Sequence, residues 1–304
     1  MKLHAKVIVN PAAGANSTHR KWPGIQILLK NTGLSFDYQF TEGRGHAIEL
    51  ARDAARNGYR YLVAVGGDGT VHEVANGLLQ TEQARETSLG VICTGTGSDL
   101  SRSTGTSHDC ADACSSLTGS HRRLIDVGLV KYQKKGQSCQ RYFVNSAGIG
   151  FDATVVEAVE RLPKYFGGTI PYLFGLVRTF IGYRNKQVTF QIGDKNPEKA
   201  RVLSLVAANG RYFGGGMHIA PEAKLDDNLL DIVIIGDFGK IELLRSLSRV
   251  YKGTHLTHPK IRLEKDTRIT IESSQKFLLH ADGELLGEGP VSFQLFPKAL
   301  SLVV

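Results

Sequence analysis

Along the first 130 residues, short apolar runs alternate with amphipathic stretches. Residues 6–9 read as a buried strand that ends in the turn pair Asn10-Pro11. Ala47, Leu50, Ala51, Ala54 and Ala55 recur at helical spacing, and Gly58 closes that stripe. Residues 61–65 predict a second strand, which runs into Gly66-Gly67-Asp68-Gly69. Thr70 then opens a helix whose apolar face is Val71, Val74, Ala75 and Leu78, and Glu73, three residues after Thr70, predicts a capping box. Residues 89–93 predict a third strand, followed by Thr94-Gly95-Thr96-Gly97-Ser98-Asp99. This alternation predicts a doubly wound α/β domain, a parallel sheet covered on both faces. Ligands of such sheets lie beyond the carboxyl ends of the strands. The turns after all three runs carry glycine, which places them at that edge.

From about residue 122 the period shortens. Segments 124–130, 141–145, 187–192, 202–207, 230–235, 268–272, 276–280 and 291–295 read as strands, many alternating apolar with polar. They predict a mostly antiparallel β-sandwich domain, with helical insertions at 153–161, 172–183 and 241–251. The expected division is an α/β domain over 1–128 and a β-sandwich over 129–295, with a last strand, 296–304, rejoining the first domain.

Composition narrows the class. With 304 residues, 41% hydrophobic and 22% charged, the chain is ordinary for a folded protein rather than a disordered one. Its 34 glycines fall in clusters without a collagen period. Cys93, Cys110, Cys114 and Cys139 make no C-x-x-C pair, so the usual zinc spacing is absent and reduced thiols are expected. No signal peptide fits the start of the chain, and no apolar run is long enough for a span; a cytoplasmic protein is expected. The net charge of +8 is uneven: residues 1–130 hold 13 Lys+Arg against 12 Asp+Glu, the remainder 24 against 17. Nucleic acid, an anionic membrane or a phosphorylated substrate each fits such a surplus. The absence of helix-turn-helix or zinc-finger spacing, and of interleaved stacking aromatics, argues against nucleic acid.

The sharpest local feature is Gly66-Gly67-Asp68-Gly69-Thr70. Glycines between a strand and a helix let backbone N–H groups face a phosphate, and the helix N-terminus adds partial positive charge. Asp68 inside that loop suits a metal or a ribose–phosphate network; an ordinary tight turn is the structural alternative. Neither a Walker A loop nor a G-x-G-x-x-G fingerprint is present. Gly95-Thr96-Gly97-Ser98-Asp99 repeats the logic one strand later. Asp282-Gly283-Glu284 lies between two apolar strands and reads as a hairpin turn or an acid–base site.

Taken in order, Asn10-Pro11-Ala12-Ala13-Gly14, Gly66 to Thr70, Glu73 to Leu78, Gly95 to Asp99, Asn145 to Ala153, Gly214-Gly215-Gly216 with Ala220-Pro221 and Asp227, and Asp282-Gly283-Glu284 resemble the diacylglycerol kinase catalytic-domain family, which includes bacterial lipid kinases and sphingosine kinases. Ser98 stands where that family has Asn, and Asn228 where Gly is usual. The resemblance implies an ATP- and Mg²⁺-dependent kinase acting on a lipid hydroxyl. It implies ATP contacts from Asn10, Thr41, Gly66, Gly67, Asp68, Gly69, Thr70, Val71, His72 and Thr96. Glu284 is then the general base, with Asp282 and Asp68 as further catalytic residues. A Mg²⁺ ion would be held by Asp227 and the carbonyls of Lys224 and Leu229, oxygen ligands that suit the metal. The lipid partner implies a peripheral position at a membrane, which the basic residues between Lys240 and Arg268 would serve. Residues 165–183 read as core or as an acyl-chain groove. A NAD kinase-like phosphotransferase and a regulator without catalysis are the rival readings; oligomeric state is left open, a homodimer included.

Overall fold

The computed structural model describes residues 4–95, 97–119, 121–160, 179–180 and 182–304. The chain divides into two units, one running to Val127 and taking back Pro297–Val304, the other Gly128–Phe296.

In the first unit, strands β1 (His4–Val9), β2 (Ser35–Phe40), β3 (Tyr61–Gly66) and β4 (Ser88–Cys93) are parallel, in the order β2-β1-β3-β4. The end of β15 (Glu284–Val303) adds a further parallel strand beside β4, with Ser301 opposite Ser88. β3 is buried along its whole length, as expected of a strand covered on both faces. Helix α1 (Ala13–Asn31) and α5 (Cys110–Ser116) cover one face: Trp22, Ile25 and Leu29 meet Ala113, Cys114 and Leu117 over Val7, Val63, Val65 and Ile92. Helices α2 (His46–Arg56) and α3 (Asp68–Leu79) pack on each other and against β1 and β3. Their approach is close. A Cβ on Gly77 would lie 2.2 Å from the Ile48 carbonyl oxygen, so any side chain there would wedge the helices apart.

The predicted capping box at Thr70 does not form. The N-cap of α3 is Gly67, without a side-chain cap. Glu73 turns away to α2, where Oε1 accepts from the Gly45 N–H at 2.9 Å and Oε2 from the Ala47 N–H at 3.3 Å. Those donors are orphans at the start of α2, which has no side-chain cap of its own. The carboxylate three residues into one helix therefore caps its neighbour.

In the second unit the described strand pairs are all antiparallel. Strands β12 (Ile261–Asp266), β11 (Leu230–Ile235), β10 (Ser204–Ala208), β7 (Ser146–Gly150) and β14 (Leu278–Ala281) lie side by side. β15 starts beside β14 and continues beside β13 (Arg268–Glu272), which pairs β8 (Lys186–Ile192) and then β9 (Glu198–Val202). β5 (Arg122–Lys134) pairs with β6 (Gln137–Phe143) over residues 128–143. Alternate residues of β10 and β11, Leu205, Ala207, Leu230, Ile232 and Ile234, join Phe143, Ile149, Phe190 and Phe293 in the sandwich core. The intervening Val206, Ala208 and Val233 face a second cluster with Phe151 and Val155 of α6 (Phe151–Glu160). The next described helix, α7 (Lys240–Tyr251), buries only Ser246 fully. The predicted helix 172–183 and the groove at 165–183 lie largely outside the described residues. Among those described, no helix is long and apolar enough to cross a membrane.

Candidate active site

The strand order of the first unit reverses between β1 and β3, and a doubly wound sheet binds its ligands where the order reverses. The loops after these two strands meet there. The Asn10 N–H donates to the Val65 carbonyl at 2.9 Å, and the Asn10 amide nitrogen donates to Thr70 Oγ1 at 3.0 Å. Asn10 Oδ1 accepts from the Ala12 N–H at 3.1 Å, which folds the turn back on itself. Thr41, at the end of β2, donates its N–H to the Val9 carbonyl at 2.8 Å. Asn10, Thr41 and Gly66 to Thr70 thus come together along one sheet edge.

The next residues are strained. Gly14, Ala15 and Asn16 all have positive φ, 58°, 53° and 65°, a conformation that costs a non-glycine residue about 1–2 kcal/mol. Ser17 Oγ anchors the turn to the Thr94 carbonyl at 3.1 Å, and Thr18 Oγ1 lies 2.5 Å from Thr94 Oγ1. The turn after β1 is thereby tied to the loop after β4.

Asp68 joins the other two loops. Its Oδ1 accepts from the Asp99 N–H at 2.8 Å, and the Ser98 and Leu100 N–H groups also bond its carboxylate. Burial, then the nearby Asp99 charge, pushes its carboxyl up to about 6 against the pull of those N–H groups. Asp68 holds in place helix α4 (Asp99–Thr104), whose N-cap Ser98 sits at φ 55°. Asn tolerates that left-handed region best after Gly, which gives a conformational reason for an Asn in the family pattern at this position. Val71 and His72 are buried inside α3, His72 beside the Asn76 amide; the Asn76 amide also donates to the His72 carbonyl at 2.9 Å. Thr96 lies outside the described residues.

In the second unit, Asp282 closes the turn between β14 and β15 at φ 46°. Its Oδ2 accepts from the Val144 N–H at 2.7 Å, and its Oδ1 from the Asn145 and Ser146 N–H groups at 2.9 Å each. Asn209 secures the same segment by donating to the Val144 carbonyl at 2.7 Å. Asp282 therefore fixes the turn that presents Glu284. Arg141 Nη2 donates to Glu284 Oε1 at 2.7 Å, and both side chains are about four-fifths buried.

Behind this turn lies a buried polar group that sequence reading did not single out. His280 Nε2 is 3.0 Å from Asp152 Oδ2, and Ser204 Oγ donates to Asp152 Oδ1 at 3.2 Å. A Cβ on Gly148 would stand 2.3 Å from Asp152 Oδ2, so glycine makes room for the carboxylate. Asp152 carried a signal, the Gly-Ile-Gly-Phe-Asp run. Arg141 carried none, since an Arg in an alternating strand reads as solvent-facing.

Asp227, Lys224 and Leu229 precede and enter the turn into β11. The Leu229 N–H donates to Asp227 Oδ1 at 3.2 Å. Asn228 sits at φ 62°, which explains why Gly is usual there and why Asn serves. Beside Asp227 is a carboxylate that sequence reading missed, Asp231, 1% exposed. Neither of its oxygens takes an aligned hydrogen bond; Lys265 Nζ stands 3.3 Å from Oδ1 and 3.9 Å from Asp227 Oδ2. Burial raises the Asp231 carboxyl, Lys265 pulls it back, and Asp227 and Glu222 raise it further. An under-satisfied buried carboxylate among acidic neighbours fits a bound cation. No group of three or more His, Cys, Asp and Glu gathers at ligand spacing among the described residues, so backbone oxygens would have to complete any shell.

Comparison with known proteins places these features in context. A family model described as the diacylglycerol kinase catalytic domain matches residues 4–130, and one described as the YegS C-terminal NAD kinase beta sandwich-like domain matches residues 145–304. The diacylglycerol kinase of Staphylococcus aureus (strain MRSA252) is 30% identical over 295 residues, covering 96% of this chain and 90% of the relative. The crystal structure of a provisionally named diacylglycerol kinase from Bacillus anthracis str. Sterne aligns with TM-score 0.81 and 26% identity, over 100% of this chain and 96% of that one. An NAD kinase from Archaeoglobus fulgidus in complex with ATP shares the fold at TM-score 0.50 and 12% identity, over 99% and 93% of the two chains.

Proposed function

The chain belongs to the diacylglycerol kinase family, and from that premise we propose that it transfers the terminal phosphoryl group of ATP to a hydroxyl of diacylglycerol or a closely related lipid, with Glu284 as general base. The family is one of kinases with an alcohol acceptor.

Phosphoryl transfer requires a phosphate cradle, charge neutralisation and a proton acceptor. The cradle reading rests on the first unit. The N-terminus of α3 carries no side-chain cap; the Thr70 N–H donates to the Gly67 carbonyl at 2.9 Å, and the positive end of the helix dipole faces an anion ahead of it. Asn10 and Asp68 hold the flanking loops against it. Mg²⁺, when bound, would neutralise phosphate charge or brace the fold, and Asp227 with Asp231 and neighbouring carbonyls are the residues that would hold it.

The observation that carries the reading is the presentation of Glu284. Asp282 locks its turn through three backbone N–H groups, and Arg141 fixes its carboxylate at 2.7 Å. A carboxylate so restricted accepts the proton of an incoming hydroxyl with little reorganisation. The lipid oxygen then bonds to the terminal phosphorus as its proton passes to Glu284, and the bond from that phosphorus to the bridging oxygen breaks, its electron pair leaving with ADP. Asp282 and Arg141 act as positioning residues.

Labelled phosphate from ATP should appear on diacylglycerol in mixed micelles and not on NAD. Label on NAD alone would establish the rival acceptor. Glu284→Gln should lower kcat at least about 10²-fold, the scale of a lost general base, while ATP binding by calorimetry stays unchanged; preserved turnover would remove the base assignment.

A further inference from the structure

Helix α7 is two-faced in an unusual way. Its inner side seats Leu243 against the cluster around Phe238 and Ile261 and buries Ser246. Its outer side leaves Ile241, Leu244 and Tyr251 at 69%, 61% and 48% exposure. These are half of the exposed large hydrophobic residues among the described part of the chain, gathered on one 12-residue helix. At 100° per residue they form a single stripe. Arg245, Arg249 and Lys252 run along one flank of it, and none of the three ion-pairs with a carboxylate among the described residues.

Negative charge is kept off this face. Glu242, the one acid in the helix, accepts from the Gly239 N–H at 3.0 Å and from Lys260 Nζ at 2.7 Å, with His258 Nε2 at 3.3 Å. The open groove beside it, about 690 Å³, is lined by Lys240, Ile241, Arg245, Arg249 and His258 together with the ion-paired Glu242. An apolar stripe rimmed by cations is the pattern of a helix that lies in a membrane interface, its apolar residues in the headgroup boundary and its cations on lipid phosphates. Scattered apolar residues on a surface need no explanation, but a contiguous stripe does.

We propose that the outer face of α7 is a docking surface for anionic phospholipid bilayers, which delivers the enzyme to its lipid acceptor. The identity of the occupant follows from charge: a second copy of this chain would bring the same cations to the contact, whereas an anionic bilayer complements them. The link to catalysis rests on the lipid-kinase reading; the binding itself does not.

The test uses the whole protein and vesicles of phosphatidylcholine with or without about 30% phosphatidylglycerol. The parent should co-sediment with anionic vesicles only, and less so as salt rises. Arg245→Ala/Arg249→Ala/Lys252→Ala should weaken that binding at least about tenfold, and Ile241→Ser/Leu244→Ser by a similar factor. Both variants should turn over a monomeric short-chain diacylglycerol as the parent does, which shows that they are folded. Unaltered vesicle binding by both variants, or parent binding indifferent to lipid charge, overturns the proposal. So does a parent dimer that the serine variant dissociates while vesicle binding persists. Vesicle binding that follows α7 without phosphorylation of any lipid would sustain the docking surface and remove the lipid-kinase reading instead.

Discussion

Single residues set the state of the glycine loops, and Asp68 most of all. Its carboxyl is raised from 3.8 to about 6 by burial and by Asp99. A carboxyl with a raised folded-state pKa stabilises the fold fully below its unfolded value and loses that contribution as pH rises through the folded value. Stability should therefore fall between about pH 4 and pH 6, by up to about 3 kcal/mol, and level off above. Asp68→Asn should flatten that slope in urea unfolding followed across pH; an unchanged slope would mean that Asp68 is solvated. The same residue shows how far a sequence speaks. That an aspartate sits in a glycine loop was legible. That it spends its oxygens on the backbone of 98–100, a segment some thirty residues away, was not, because side-chain hydrogen bonds across loops leave no periodic trace. Ser98 and Asn228 are similar cases: the departures were visible, while the positive φ that accounts for both positions is a backbone property.

At the scale of elements, many helices and strands followed from apolar spacing, though α1, β2 and α5 did not, and the fastenings between elements did not either. Glu73 stood at the right distance for a local capping box, and the structure gives it to α2 instead. Gly67 already opens α3, so Thr70 is not at the N-cap. Its hydroxyl receives the Asn10 amide, and Glu73 points into the tight contact between α2 and α3. Glu73→Ala should therefore destabilise the protein by about 0.5–2 kcal/mol, and α2 should lose amide-exchange protection before α3. Equal loss along the first turn of α3 would restore the local-cap interpretation. Strands 230–235 and 268–272 were readable to the residue, the first as an apolar run buried on both faces and the second as a strict alternation of exposed and buried positions. β7 was hidden in a glycine-rich motif, where two of five residues have no side chain to carry a pattern.

At the scale of the molecule, the last residues of the chain belong to its first unit. Leu300, Leu302 and Val303 are buried there, with Ser301 opposite Ser88 and the Lys298 N–H on Asp126 Oδ1 at 2.8 Å. Deleting residues 297–304 should expose the edge of β4 and lower the melting temperature of the first unit by several degrees, measured as loss of cooperative unfolding and of ATP affinity together. Intact ATP binding with an unchanged melting temperature would show the strand to be dispensable.

The sequence by itself determined the two architectures and where the glycine-rich loops fall. Hydrophobic period separates a parallel sheet buried on both faces from an antiparallel sandwich, and glycine clusters mark where backbone must turn sharply. The motifs, in order, also pointed to the family. Only the tertiary structure decided what those residues do for one another: Asp282 as a brace for the backbone of 144–146, Arg141 as the partner of Glu284, Asp231 as the buried carboxylate beside Asp227, and an outward α7 whose apolar residues a periodicity argument would have assigned to the core. Periodicity is a property of neighbours along the chain, whereas burial, hydrogen-bond partnership and charge pairing depend on segments far apart in it, 143 residues for Arg141 and Glu284 and 172 for Asp126 and Lys298, and those are set only when the chain has closed.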